Sequence, residues 1–348
     1  MALATVYGQR NRGPKRLIKQ QPLASPATLT FTSTNKYSVI FENTLLRSAV
    51  AFCLMLVSVA QLQAQTRRAE RPLSKEQARR TIRLLKPLDK KLAEPKPGEW
   101  LDQHREKGQR FAKWASINPN VLTVRKTTLY IQPIGTFSET ETRLTKQTAE
   151  YLQAYFNCPV KTLTTIDAST VPEDARRVHP QWGDEQLLTT HILEKILEPN
   201  LPDDAFATIA FTNKDLWPGD DWNYVFGYAA YYDRVGVWSL YRFGDPDASK
   251  ESYKKCLKRM IKLATHETGH MFSMKHCTNA QCNMQGSNHL QEGDSQPLHL
   301  CSQCHAKTVY AINAKPVERM RRLLKFCEKY EFEDEVKYYK AAIEKLKK

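Results

Sequence analysis

The sequence has no internal repeat and no apolar run long enough to cross a membrane with ease. Its most apolar stretch, residues 48–62, is shorter than the ~20 residues that a membrane-spanning helix needs. Beyond residue 64 it also lacks a block of one charge sign, because 45 basic and 36 acidic residues are interspersed there. Such a balance is typical of a solvated surface, so we expect no nucleic-acid partner.

The stretch 48–62 has the features of a secretory signal. Arg47 before it supplies the basic start, and the stretch itself is the short apolar region. Gln63, Ala64 and Gln65 follow, with Ala64 as the small residue at the cleavage point. We therefore expect residues 1–64 to be a leader with a signal peptide at about 45–64, and the mature protein to be exported, either secreted or periplasmic. The alternative is a cytoplasmic protein, with membrane contact only through an uncleaved leader.

The eight cysteines lack the even distribution of an exported disulfide framework. One, Cys53, lies in the leader. Four form two short pairs: Cys277 and Cys282, Cys301 and Cys304. Four thiolates at this spacing suit a closed tetrahedral zinc site, and two disulfides are the alternative. The remaining three are expected to be buried thiols: Cys158, Cys256 and Cys327.

Predicted strands alternate with predicted helices, which indicates an α/β fold with one mixed sheet. The strands are predicted at residues 127–134, 159–166, 205–211, 224–231 and 235–241. The helices are predicted at residues 75–86, 138–156, 184–197, 249–272 and 333–347, with another beginning at Pro316. Prolines and glycines among charges predict a linker or surface loop at residues 93–109. The chain thus divides into the leader 1–64, an N-terminal helix and linker 65–119, a main domain 120–312 and C-terminal helices 313–348.

The chemistry is concentrated in residues 266–277, HETGHMFSMKHC. On a helix, His266 and His270 lie on one face, so both imidazoles can bind one ion. Glu267 lies beside that ion, where it can take a proton from a metal-bound water. His276 supplies a third ligand, and three protein ligands leave the fourth position open, as in catalytic zinc sites.

His276 lies six residues beyond His270, so the helix must end near residue 272 and the chain must bend back. The simplest bend gives residue 273 a positive φ, which would make Ser273→Gly neutral or stabilising. His276 is followed directly by Cys277. We expect the cysteine site to anchor this third ligand in place of a hydrogen-bonding partner.

The pattern H-E-x-x-H-x5-H-C-x4-C-x-M, with C-x-x-C about seventeen residues further on, resembles the archaemetzincin (archaelysin) peptidases of the metzincin clan. Further stretches resemble the same family: 97–100 (PGEW), 130–135 (YIQPIG), 222–243 and 284–304. The resemblance covers about residues 95–325.

The resemblance implies a metzincin-like catalytic domain with a mixed, mostly parallel sheet, an antiparallel edge strand, packed helices and a zinc-bound C-terminal subdomain. It implies two zinc ions and assigns these residues: His266, His270 and His276 to catalytic zinc; Cys277, Cys282, Cys301 and Cys304 to structural zinc; Glu267 as general base; Met284 as the Met-turn methionine. Metzincins usually have glycine where this chain has Ser273.

The implied activity is hydrolysis of peptide bonds in a peptide or protein substrate, with endopeptidase and aminopeptidase action both open. The edge strand is expected to pair with extended substrate through Tyr224, Val225, Phe226 and Gly227. One alternative is a zinc-binding protein with little or no peptidase activity. A nucleic-acid-binding zinc ribbon is disfavoured, because Glu292 and Asp294 lie between the cysteine pairs and no basic–aromatic patch flanks them.

Overall fold

Helices and strands alternate along the chain as the sequence predicts. The computed structural model describes residues 73–219 and 222–348, so the predicted leader, with its signal peptide and Cys53, lies outside the described residues. The helices are α1 Lys75–Leu85, α2 Trp100–Gln103, α3 Phe111–Ser116, α4 Glu139–Phe156, α5 Thr189–His191, α6 Lys250–Met271, α7 Leu290–Ser295, α8 Ser302–Ala311, α9 Pro316–Lys329 and α10 Glu333–Leu346. The strands are β1 Thr128–Ile134, β2 Val160–Thr162, β3 Arg176–Val178, β4 Glu185–Leu188, β5 Ala205–Thr212, β6 Asp215–Trp217, β7 Gly227–Ala230 and β8 Val235–Ser239. Over the described residues, no helix combines the length and apolar character needed to span a membrane.

The main sheet has the strand order β2-β1-β5-β8-β7. The first four strands are parallel, and β7 pairs antiparallel with β8 at the edge. This confirms the predicted mixed, mostly parallel sheet with an antiparallel edge strand. The edge strand is shorter than predicted, because it begins at Gly227. Val225 instead makes a single antiparallel bridge with Leu216.

A second sheet, of order β3-β4-β6, was not predicted. Residues 185–188 of the expected helix 184–197 form β4, and only the part from Thr189 is helical, continuing as a π-helix over Ile192–Leu197. These strands have only three or four residues each and mixed composition. Their pairing is set by tertiary contacts, which local sequence patterns do not record.

The main sheet separates two apolar layers because successive side chains of a strand face opposite sides. Leu129, Ile131 and Trp238 face the larger layer, together with α4 and α6. Val235 and Val237 face the smaller layer, together with the π-helix. The larger layer is therefore the one that receives the helix bearing the histidines.

Helix α6 runs from a partly exposed start into the core. Ser249 caps it, since its side chain accepts a hydrogen bond from the Ser252 N–H. From Leu263 to Met271 every residue of the helix is buried. The histidines thus lie at the buried C-terminal end of α6, where water has little access and the chain must leave the helix without losing its hydrogen bonds.

Candidate active site

Three imidazoles converge at the end of α6. Their candidate ligand atoms lie within 4.8 Å of one another, and the Nε2 atoms of His266 and His270 are 3.0 Å apart. His276 reaches the same point from the loop that follows the helix. All three side chains are at least 95 % buried, with 5 %, 3 % and 5 % exposure for His266, His270 and His276. The structure therefore brings together the three histidines that the sequence singled out.

Burial keeps two of these imidazoles neutral. It lowers the pKa of His266 to about 3 and holds the pKa of His270 well below its usual value, with the neighbouring histidines adding to the effect. Only a neutral imidazole has the lone pair that a metal ligand needs. His266 and His270 can therefore bind a cation without first losing a proton.

Each histidine is oriented through its Nδ1 atom. His266 donates to the Asn283 carbonyl at 2.8 Å and His270 donates to the Met274 carbonyl at 2.6 Å. His276 pairs with Glu106 Oε1 at 2.9 Å. Carbonyl and carboxylate oxygens only accept, so Nδ1 carries the proton in all three rings, which leaves Nε2 as the nitrogen that can bind a metal ion.

A Schellman turn ends α6 and reverses the chain towards the site. The Ser273 N–H donates to the His270 carbonyl at 2.8 Å, and the Met274 N–H donates to the Gly269 carbonyl at 3.2 Å. Ser273 has φ +62°, the left-handed conformation that the spacing of His270 and His276 predicted. Its hydroxyl also accepts a hydrogen bond from the Asn120 N–H at 3.1 Å, a contact that the sequence did not reveal.

Met284 lies beneath the helix that carries the histidines. It is fully buried, and a Cβ added to Gly269 would lie 2.5 Å from its sulfur atom. Gly269 is therefore required for close approach, since any larger residue next to His270 would displace Met284. The Met284 carbonyl also accepts the Cys277 N–H at 2.6 Å. Met284 thus packs against the helix next to His270, and its role as the Met-turn methionine stays a prediction.

Glu267 is the buried carboxyl next to the histidines. Burial raises its pKa to about 8, and a hydrogen bond from the Tyr231 hydroxyl, at 3.3 Å from Oε2, opposes that rise. The Tyr231 ring also packs against His270, with ring centroids 4.9 Å apart. Sequence patterns did not distinguish Tyr231 from the other tyrosines near the end of β7, because only the fold shows which one faces Glu267.

The four clustered cysteines form a second potential metal site. Their sulfur atoms lie within 4.8 Å of one another, and all four residues are buried: Cys277, Cys282, Cys301 and Cys304. The Sγ atoms of Cys277 and Cys301 are 3.6 Å apart, too far for a disulfide of ~2.05 Å. The pKa of the Cys277 thiol is held well below its usual value by hydrogen bonds from the other three, so a thiolate is already favoured there.

The expectation that His276 needs no hydrogen-bonding partner was wrong. The cysteine site does follow directly at Cys277, but it does not take the place of a hydrogen-bonding partner, because Glu106 provides one. Glu106 belongs to the segment 93–109, which was interpreted as a linker or surface loop. No motif marks this residue, and its distance from His276 along the chain hides the contact from sequence reasoning.

The edge strand β7 lies where substrate was expected to bind. Phe226 accepts a hydrogen bond from the Ser239 N–H of β8, so alternation along the strand turns the backbone groups of Gly227 and Ala229 away from β8. The outward N–H of Val225 already donates to the Leu216 carbonyl at 2.9 Å. Of the four expected substrate-binding residues, only Gly227 therefore lies on the edge strand with its N–H and C=O groups facing away from β8.

A small apolar cavity of about 40 Å³ adjoins His266. Its apolar lining residues are Phe226, Phe243, Leu263 and Leu290, and charged residues also border it: Arg259, Lys262 and Asp294. Phe226 thus contributes its side chain to this cavity rather than its backbone to an open edge.

Comparison with known proteins gives one consistent answer. The model of peptidase family M54 matches residues 179–309. Human archaemetzincin-2 is 34 % identical over 268 residues, which cover 67 % of this chain and 72 % of that protein. The archaemetzincin of Archaeoglobus fulgidus is 33 % identical, over 52 % of this chain and 99 % of its own. The chain belongs to the archaemetzincin family of zinc metallopeptidases. A crystal structure of archaemetzincin from Methanopyrus kandleri is 26 % identical and matches 54 % of this chain and 94 % of its own, with a TM-score of 0.42.

Zinc is the metal of the archaemetzincins, and both donor sets fit it. Zn–N bonds of 2.0–2.1 Å in a tetrahedron separate two nitrogens by about 3.3 Å, close to the observed 3.0 Å between His266 and His270. Zn–S bonds of 2.3 Å separate two sulfurs by about 3.8 Å, close to the 3.6 Å between Cys277 and Cys301. The first set offers three ligands and the second offers four.

The left-handed turn of this archaemetzincin at Ser273 can be tested with two variants. Ser273→Ala and Ser273→Gly both lose the hydrogen bond from Asn120, but only alanine keeps the Cβ strain of about 1–2 kcal/mol. Glycine costs about 0.4–1 kcal/mol through its freer unfolded chain. We expect the glycine variant to be more stable than the alanine variant by roughly 0.5–1 kcal/mol in denaturant melts of zinc-loaded protein. An alanine variant of equal or greater stability, with normal metal content, would contradict the role assigned to this turn.

Proposed function

We propose that this archaemetzincin hydrolyses peptide bonds at the histidine site, with zinc held by His266, His270 and His276 and with Glu267 as general base. One observation carries the proposal: three buried imidazoles converge on a common point beside a buried carboxyl group. A solvated helix face would leave these groups exposed and apart from one another. A closed structural site would supply a fourth ligand, as the cysteine cluster does.

The residues divide the chemistry between them. Zinc, when bound, supplies a Lewis acid that lowers the pKa of water towards ~7 and polarises the scissile carbonyl. Glu267 then takes a proton from the attacking water and delivers it to the leaving amine. Its burial favours this role, because a buried carboxylate accepts a proton more readily than an exposed one. Tyr231 holds the Glu267 carboxylate in place through its hydroxyl.

Extended substrate would bind beside β7. We assign its backbone pairing to Gly227 and Ala229, whose N–H and C=O groups face away from β8. Pairing of this kind binds main chain irrespective of side-chain identity. Selectivity would come from the apolar cavity beside His266, whose volume of about 40 Å³ suits a small apolar side chain next to the scissile bond.

The two ligand sets share no residue, so we predict two zinc ions per chain. Elemental analysis of the purified protein, with thiol titration before and after chelation, would count them. Cys301→Ser with Cys304→Ser should remove one ion, and His270→Ala should remove the other. A single ion per chain, with Cys277 and its partners recovered as disulfides, would contradict the structural site.

Glu267→Gln should retain zinc and lose activity. The amide keeps the shape of the side chain but cannot accept a proton at neutral pH, so kcat/KM on a mixed peptide library should fall by about 10²- to 10⁴-fold. Glu251→Gln is the matched control, since Glu251 is exposed in the first turn of the same helix. Near-normal turnover by Glu267→Gln, with its metal in place, would exclude this residue as the base.

We also propose that the protein is exported after removal of about the first 64 residues. The support is the basic residue Arg47, the apolar stretch 48–62 and the small residue Ala64. N-terminal sequencing of protein made in its native host should begin near Gln65. Recovery of the intact leader on protein from the cytoplasmic fraction would contradict export.

A further inference from the structure

A segment that precedes the main sheet lies across the histidine site. We call residues 99–111 the upstream strap. Its first part is attached to helix α7, where Glu292 accepts the Trp100 N–H at 3.0 Å. A Cβ on Gly286 would overlap the Trp100 ring, so the two chains are in close contact. The same ring meets His276 edge to face, with centroids 4.8 Å apart. The strap therefore forms one wall around the third histidine.

The second part of the strap runs along the loop between His270 and Cys277. Gln109 donates from Nε2 to the Ser273 carbonyl at 3.2 Å and accepts the Lys275 N–H, also at 3.2 Å. Gly108 has φ +62°, and a Cβ there would overlap the hydroxyl of Thr278. The strap thus touches the loop on both sides of His276, which restricts how far this loop can move.

Glu106 lies between these two attachments and reaches His276. Its Oε1 is 2.9 Å from Nδ1 of that ring, and its side chain is only 28 % exposed. The other two histidines stand on a rigid helix and donate to main-chain carbonyls. His276 stands on a loop, and among the three it alone is held by a charged side chain.

We propose that Glu106 is the positioning residue of His276: its carboxylate orients the ring, selects the Nε2 ligand and makes that nitrogen a stronger donor to zinc. The proposal rests on the metal site put forward above. A carboxylate behind a metal-bound imidazole raises its basicity more than a neutral carbonyl does, and removal of such a partner typically weakens metal binding 10- to 100-fold. The upstream strap is then part of the metal centre, although it lies outside residues 179–309 matched by the family model.

The test compares metal affinity in four full-length proteins: wild type, Glu106→Gln, Glu99→Gln and Glu292→Gln. Glu99 lies on the same strap, and its carboxylate accepts the Lys96 N–H at 2.8 Å. Glu292 anchors the strap at Trp100 without touching His276. Zinc affinity is measured by competition with a chelator. Cobalt(II) loading separates the two sites, because only the cysteine site can give a thiolate-to-cobalt charge-transfer band.

Glu106→Gln should weaken zinc binding at the histidine site by roughly 10- to 100-fold and leave the cysteine site unchanged. Glu99→Gln should bind like wild type, and Glu292→Gln should lose less than Glu106→Gln. Wild-type affinity in Glu106→Gln would overturn the proposal. An equal loss in Glu292→Gln would also overturn it, because the effect would then belong to the strap as a whole.

A measurement on the unmodified protein covers the case in which Glu106→Gln does not fold. Nitrogen NMR of the zinc-loaded wild type, labelled at histidine, should show His276 protonated at Nδ1 and metal-bound at Nε2. Metal at Nδ1 would overturn the proposal. If wild type binds no metal at the histidines, the proposed function fails instead, so the two failures are distinguishable.

Discussion

The site depends on one constraint. The chain must bring His276, which lies beyond the end of α6, back to the point where His266 and His270 of that helix meet. His266 and His270 occupy one face of α6 because they are four residues apart. A continued helix would turn residue 276 away from that face. The chain therefore leaves the helix at Phe272, passes through left-handed Ser273 and returns within three residues. Several hydrogen bonds from distant residues hold this reversal in place.

A helix that ends inside the core leaves carbonyl groups without partners, and buried carbonyls must be satisfied. Here the partners come from the chain before the main sheet. Asn120 donates to the Met271 carbonyl at 2.9 Å, Trp114 to the Phe272 carbonyl at 2.9 Å and Gln109 to the Ser273 carbonyl at 3.2 Å. The end of α6 is thus capped by residues distant in sequence, which couples the metal centre to the packing of this upstream chain.

The two donor sets are also coupled through the loop between them. His276 and Cys277 are neighbours in sequence and face different sites, and Met284 joins both through its packing on Gly269 and its hydrogen bond to Cys277. A rigid four-thiolate centre would hold one end of this loop, while the upstream strap holds its middle. Two constraints on one short loop explain how a ligand outside regular structure keeps a defined position.

The sequence alone determined the features that depend on residues close together along the chain. The spacing of His266 and His270 defined one face of a helix, and the six residues to His276 required a left-handed turn near residue 273. The paired cysteines likewise predicted the cluster of four sulfur atoms that the structure contains. Alternating strand and helix patterns predicted the mixed sheet, although the second sheet was missed because its strands are too short to carry a periodic signal.

Only the tertiary structure decided which distant groups complete the site. Glu106 lies 170 positions from His276 and Tyr231 lies 36 positions from Glu267, and both separations are far too long for one helix or strand to bring the two residues together. Leu216, a residue of the other sheet, pairs with Val225, so only Gly227 and Ala229 are left to pair with substrate at the edge of β7. Contacts of this kind arise when packed elements bury polar groups that then need partners, and such a requirement exists only in the folded chain.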